Sequence, residues 1–392
     1  MISIRQKMRQ IGPITPQRVA QNLGWRWKDL QPMLRAAATW RGERPRVYVH
    51  NVHPHPIFKT YVTHPPLRYA PYPFAELCHW VNLLPNHHLL HKPHIFEIEH
   101  FLLFLSDRHH FMRDWYRVYS ENEVINQVVA RDQCRRVFTF SSGLAEHCKQ
   151  FLHPDLWPKL DYVYPAYPFQ PEYERPAGAP FTILVIASRF SDKGVPEALQ
   201  AYQILRARHG SRVRLLLVSQ DVPTGYHLPD GVIHYGQFAS HLPFMSAALK
   251  QELYQAADVL LLPCYSETAA CFTEACAYGV PIITTRIHHG DEFVRDGSTG
   301  FLLDAPVFIY SPDYARRWRT AEEFLDELAA MRERGELDVV VEQAVERLEA
   351  MISGQVDVAT MRQAARRLHA ERFSPPVRNQ KLLHLYAAAL PA

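Results

Sequence analysis

The apolar run Phe181–Ala187 gives way to Ser188, and Arg189, Lys193 and Gly194 follow before the next helical stretch opens. Two cations and a glycine at a strand-to-helix turn make an anion site. A guanidinium grips phosphate oxygens in pairs, an ammonium adds a compact charge, and the start of the helix contributes N–H groups and a favourable dipole. A second apolar run leads through Val259 and Pro263 to Glu267, and Glu274 is expected in the first turn of the helix that follows. Carboxylates so placed accept hydrogen bonds from hydroxyl groups. Phosphate at one turn and polyol at the other describe a nucleotide sugar. Singly, each residue has a plainer use: an acid in a first turn complements the helix dipole, and a cation after a strand is ordinarily solvated. The pairing of two strand-turn-helix units with complementary chemistry is what points to a site.

The elements that must position these residues are legible around them. Apolar runs at 181–187, 213–218, 232–235, 258–262 and 280–284 alternate with helical stretches near 195–208, 246–257 and 273–278. That alternation predicts a parallel sheet with helices on both faces, and such sheets bind ligands outside the carboxyl ends of their strands. The Pro- and charge-rich segment Phe169–Pro180 reads as a linker between two α/β domains. Before it, Arg46–Val52, His94–His100 and Arg136–Ser141 read as strands, Ser141 and Ser142 as caps of a helix beginning near Leu144, and Tyr61–Pro73 as no regular element. Beyond the second domain, Ala321 to about Met351 has helical apolar spacing, and Pro375 and Pro376 supply the start of a last helix.

From Phe181 to the C-terminus the chain resembles the retaining glycosyltransferases of family 4. The resemblance rests on Arg189 and Lys193, on Pro263–Glu267, on Glu274–Thr285, and on Gly231–Gly236, Leu249–Asp258 and Asp296–Leu303 in the family's order. It implies the α/β GT-B fold, two Rossmann-like domains facing a central cleft: 1–175 as a divergent acceptor-side domain, 176–370 as the nucleotide-sugar domain, and 371–392 as a helix crossing back. It further implies Arg189 and Lys193 on the diphosphate of the donor and Glu267 orienting its sugar. Gly194, Gly236 and Thr268 would contact the donor through backbone, and Glu274 would hold the ribose. Glu97–His100 resembles the segment where members place a histidine near the donor sugar, which makes His100 a candidate. An edge strand with solvated Glu97 and Glu99 fits the same residues.

The family ordinarily has seven residues between its glutamates and a glycine-containing loop; here six intervene, and the loop Thr268–Phe272 has no glycine. Ala adopts positive φ less readily than Gly, so the loop path must differ. A sugar-nucleotide epimerase or hydrolase of the same fold, and a non-catalytic nucleotide-sugar-binding subunit, therefore stay beside the transferase reading. The resemblance implies no metal and no other cofactor. The partners it implies are the donor and a glycan, lipid or protein acceptor.

The 392 residues, 47% of them hydrophobic, suffice for two or three domains with sizeable cores. No apolar run approaches the length of a membrane span, and the first residues lack a signal-peptide core, so a cytoplasmic protein is expected. The six cysteines have no Cys-x-x-Cys spacing, and the histidine pairs match no zinc motif, so reduced thiols and no structural metal are expected. Net charge is only +3, yet the first fifty residues hold ten Lys or Arg against Asp29 and Glu43, with Trp25, Trp27 and Trp40 interleaved. This composition fits a solvated face or peripheral contact with an anionic inner membrane surface. No RNA-binding signature accompanies it, and nucleic acid is not expected as a partner.

Overall fold

A computed structural model describes residues 46–51, 68–69, 75–81, 90–98, 122–219, 222–236, 245–266, 270–287, 290–309 and 321–390. Two six-stranded parallel sheets organise them. The first contains β1 (Arg46–Asn51), β2 (Arg68–Tyr69), β3 (Leu77–Val81), β4 (His94–Glu97), β5 (Cys134–Thr139) and β6 (Leu160–Tyr162), in the order β2-β1-β3-β4-β5-β6. The second contains β7 (Phe181–Ala187), β8 (Val213–Ser219), β9 (Val232–His234), β10 (Val259–Leu262), β11 (Ile282–Thr285) and β12 (Gly300–Leu303).

The second sheet runs β9-β8-β7-β10-β11-β12, the doubly wound order of a dinucleotide-binding domain, with its switch point between β7 and β10. β10 is wholly apolar and β8 and β11 are largely buried, as in a parallel sheet covered on both faces; Leu215, Leu260, Leu261 and Ile283 are fully buried. Helix Val195–His209 follows β7, Ala247–Ala256 precedes β10, and Ala270–Tyr278 joins β10 to β11. Ser246 caps the second of these, its Oγ accepting from Leu249 N at 3.1 Å. β12 and helix Val358–Leu368 were not anticipated as elements, and the helical stretch from Ala321 is two helices, Ala321–Glu333 and Asp338–Ile352, parted at Gly335 with φ 73°.

In the first sheet, Ser141 caps helix Ser142–Cys148 as expected, its Oγ accepting from Leu144 N at 3.1 Å. Two expectations are corrected. Residues Arg68–Tyr69, within a stretch read as irregular, pair with β1 as a short parallel strand. β4 is an interior strand rather than an edge, and Glu97 is fully buried rather than solvated. Its cationic partner comes from the last helix, Pro375–Ala389: the Arg378 guanidinium donates to Glu97 Oε1 and to Tyr164 O at 3.0 Å. His79 Nε2 lies 3.1 Å from Glu97 Oε2, and its Nδ1 lies 2.8 Å from the Tyr386 hydroxyl. Leu382, Leu385, Tyr386 and Ala389 of the same helix pack on Val47, Leu77, Ile95 and Phe138. The chain end is thus fastened to the first sheet by an apolar face and a buried ion pair.

Glu292 also joins the two halves. Its carboxylate accepts from Ser142 N at 2.9 Å, Gly143 N at 2.7 Å and the Tyr164 hydroxyl at 2.6 Å, while Phe293 stacks on Phe373 with centroids 4.9 Å apart. The basic segment 1–45 and His100 lie outside the described residues. Among those described, no helix is long and apolar enough to cross a membrane.

Candidate functional site

The chain leaves β7 at the switch point and turns through Ser188–Gly194 into helix Val195–His209. Gly194 has φ 70°, and a Cβ there would stand 2.1 Å from Pro263 O, so only glycine lets this turn lie against the end of β10. Gly194→Ala is expected to cost about 2–4 kcal/mol, combining left-handed strain with backbone overlap. Gly178→Ala is the control: φ there is 75° and nothing lies within 4 Å, so only the strain of about 1–2 kcal/mol applies. Urea denaturation of the two variants separates the terms, and equal losses would show that the contact with Pro263 is unimportant.

Contact between the turns goes further. Tyr265 N donates to Asp192 O at 2.8 Å, and Ser266 Oγ donates to Asp192 Oδ2 at 2.6 Å. Arg189 reaches the same carboxylate, with Nε at 2.8 Å and Nη2 at 2.5 Å from Oδ2, and donates from Nη2 to Ser266 Oγ at 3.1 Å. Burial alone would push the Asp192 carboxyl up. The Arg189 and Lys193 charges and the bonds from Arg189 and Ser266 hold it below the ordinary carboxylate range instead. Asp192 therefore stays ionised and fixes the guanidinium of Arg189, whose side chain remains 32% exposed. Lys193 is 6% exposed, which removes the reading of a solvated surface cation.

Glu274 does not stand in the first turn of its helix, because the helix begins at Ala270. The dipole-partner reading goes with that placement. The carboxylate is buried and faces helix Ala247–Ala256, where Lys250 forms an ion pair with Oε1 and the Tyr254 hydroxyl donates to Oε2 at 2.9 Å. Tyr254 is stacked on Tyr278 at 4.9 Å, and the Lys250 ammonium lies 5.6 Å from the Tyr167 ring centroid. This arrangement fixes the orientation of the Glu274 carboxylate. Burial raises the pKa of the Cys271 thiol, Glu274 raises it further, and Lys193 opposes the rise.

Gly236 closes the arc. It follows β9 against the His234 ring, whose Cε1 would lie 2.5 Å from a Cβ at that position, and His234 Nε2 lies 3.2 Å from Ser219 O at the end of β8. The turns after β7, β9 and β10 thus share the carboxyl edge of one sheet. Glu267 and Thr268 fall outside the described residues, immediately after Ser266.

Asp192, Ser266, Lys250 and Tyr254 were missed from sequence. For Asp192 a signal existed, since an acid between Arg189 and Lys193 in a tight turn is placed to pair with either. Lys250 and Tyr254 lie in the Leu249–Asp258 match, but nothing in that segment pairs them with Glu274, 24 and 20 residues further on. The six cysteines are free and buried. Burial pushes Cys276 up to about 12 and raises Cys264 as well, which suits packing rather than nucleophilic chemistry.

Residues 181–311 match the family model of Glycosyl transferases group 1. A D-inositol 3-phosphate glycosyltransferase of Nocardia farcinica is 28% identical over 130 residues, 31% of this chain and 29% of that protein. The lipopolysaccharide glucosyltransferase WaaG of Escherichia coli K12 is 29% identical over 126 residues, 32% of this chain and 33% of that protein. The matched stretch thus spans about a third of either relative. Among solved structures, the apo lipopolysaccharide outer core galactosyltransferase WaaB superposes with a TM-score of 0.50 at 13% identity, covering 81% of this chain and 76% of that one. At that identity the likeness is one of fold: two parallel-sheet α/β domains of Rossmann type, the GT-B architecture.

Proposed function

We propose that the chain transfers a sugar from a nucleoside diphosphate to an acceptor hydroxyl with retention of anomeric configuration. The observation that carries this reading is the union of the Arg189–Gly194 turn with the Pro263–Ser266 turn at the switch point of the second sheet. The match of residues 181–311 to group 1 glycosyltransferases supports it. Arg189 and Lys193 would neutralise the charge that grows on the departing diphosphate, which is ordinarily the largest catalytic term. The bond from the anomeric carbon to phosphate breaks, the acceptor oxygen bonds to that carbon on the same face, and the acceptor's proton passes to a phosphate oxygen. Glu274, oriented by Lys250 and Tyr254, would accept from ribose hydroxyls, and Glu267, with the Thr268 backbone, would set the donor sugar. His100 is proposed beside that sugar. With two fixed cations at the diphosphate, the reaction is proposed to need no metal.

The test is a donor and acceptor screen in the presence of EDTA, with the product's anomeric configuration read by NMR. A new glycosidic bond of the donor's configuration is expected. Free nucleotide released at the same rate without acceptor would identify an epimerase or hydrolase instead, and donor binding without any turnover would identify a non-catalytic subunit.

A further inference from the structure

Arg332 lies in helix Ala321–Glu333, far along the chain from the proposed donor site, yet its guanidinium is spent on the turn that carries Arg189 and Lys193. Nη1 donates to Ser191 Oγ at 2.6 Å and Nη2 to Ser191 O at 2.7 Å. Nε donates to Glu197 Oε1 at 2.7 Å, and Nη2 also reaches Glu197 Oε2 at 3.3 Å. One planar fork therefore holds both sides of Gly194, the turn before it and the first turn of the helix after it.

Electrostatics gives the contact a second consequence. Glu197 is 2% exposed and sits in the first turn of helix Val195–His209. A carboxylate there complements the helix dipole, but it competes with any anion brought to the same N-terminus. Paired with Arg332 in this bidentate way, the carboxylate is neutralised, and the helix start remains suited to phosphate. Tyr265 joins the same cluster from the β10 turn: it is fully buried, and burial followed by the Glu197 charge raises its pKa above the ordinary phenol range. Lys could not replace Arg332, since an ammonium lacks the fork that spans Ser191 and Glu197.

We infer that Arg332 is a positioning residue of the donor site, which sets the path of the Arg189–Gly194 turn and cancels the Glu197 charge that would otherwise oppose the diphosphate. The inference rests on reading that turn as the diphosphate site. Arg332 touches no donor atom; it acts through Ser191 and Glu197.

The experiment compares the wild-type chain with Arg332→Lys and with the double variant Arg332→Met, Glu197→Met. The readouts are calorimetric titration with UDP, GDP and ADP, hydrogen exchange of peptides covering residues 188–195, and melting temperature. Replacing a buried ion pair by apolar residues of similar volume is often neutral, so the double variant separates folding from positioning. The expected result is a melting temperature near wild type in the double variant, with faster exchange over the turn and nucleotide affinity lowered about tenfold through the lost Ser191 bonds alone, since the opposing Glu197 charge leaves together with Arg332. Arg332→Lys is expected to lose affinity similarly. Unchanged exchange and unchanged affinity in both variants would overturn the inference. A wild-type chain that binds none of the three nucleotides would defeat the diphosphate reading, and exchange over the turn alone would then decide whether Arg332 sets its path.

Discussion

Lys193→Ala is expected to lower kcat/KM for the nucleotide-sugar donor by about two to three orders of magnitude, the range seen when one preorganised stabiliser of transition-state charge is removed. The structure supplies the reason the effect should be large. Lys193 is 6% exposed, and its charge helps keep the buried Asp192 ionised. In so dry a setting an ammonium interacts with a diphosphate far more strongly than it would at the surface. The fold should survive, because Arg189 and Ser266 still satisfy Asp192 Oδ2. Steady-state kinetics on donor, beside a circular dichroism spectrum of each variant, is the measurement. A loss of less than about threefold, with the fold intact, would place the diphosphate elsewhere, since threefold is well under the contribution of one charge-assisted bond.

Arg378→Ala is expected to destabilise the chain by about 3–5 kcal/mol, the cost of leaving a buried charge uncompensated. Glu97 is fully buried, and Arg378 provides its close cationic partner. Burial holds the imidazole of His79 below its ordinary range despite the neighbouring Glu97, so it offers hydrogen bonding rather than full charge. Glu97→Gln combined with Arg378→Met should recover most of the loss, since the expense lies in the orphaned carboxylate rather than in missing attraction. Urea denaturation monitored by tryptophan fluorescence reads both. A single variant within about 1 kcal/mol of wild type would mean that Glu97 is not confined as described, for 1 kcal/mol is the scale of a solvated pair.

Much of the second sheet was legible because each of its longer strands is an apolar run followed by turn residues, and that pattern survives without any knowledge of neighbours. Arg189, Lys193 and Gly194 could be found for the same reason: they follow β7 directly. β12, Gly300–Leu303, escaped notice although it is as long as β10 and β11, because its apolar residues are only Phe301, Leu302 and Leu303 behind a polar turn and a glycine. Glu274 was recognisable as an acid early in the helix after β10, but its burial against Lys250 is a property of how two helices meet. Glu97 shows the limit most clearly. Alternating acids in a short strand look solvated, and the arginine that makes burial tolerable lies 281 positions away. Arg332 was hidden likewise, on a charged helix where its partners Ser191 and Glu197 leave no periodic trace.

The most direct measurement of the central claim is calorimetric titration of the wild-type chain and of the Arg189→Ala, Lys193→Ala double variant with UDP, GDP, ADP and the corresponding nucleosides at fixed ionic strength. The expected result is saturable binding of at least one nucleoside diphosphate to the wild type, no measurable binding of its nucleoside, and loss of diphosphate binding in a double variant that remains folded. Equal binding by the wild type and the double variant, or no binding of any diphosphate to the wild type, would contradict the assignment of the Arg189–Gly194 turn as the diphosphate site.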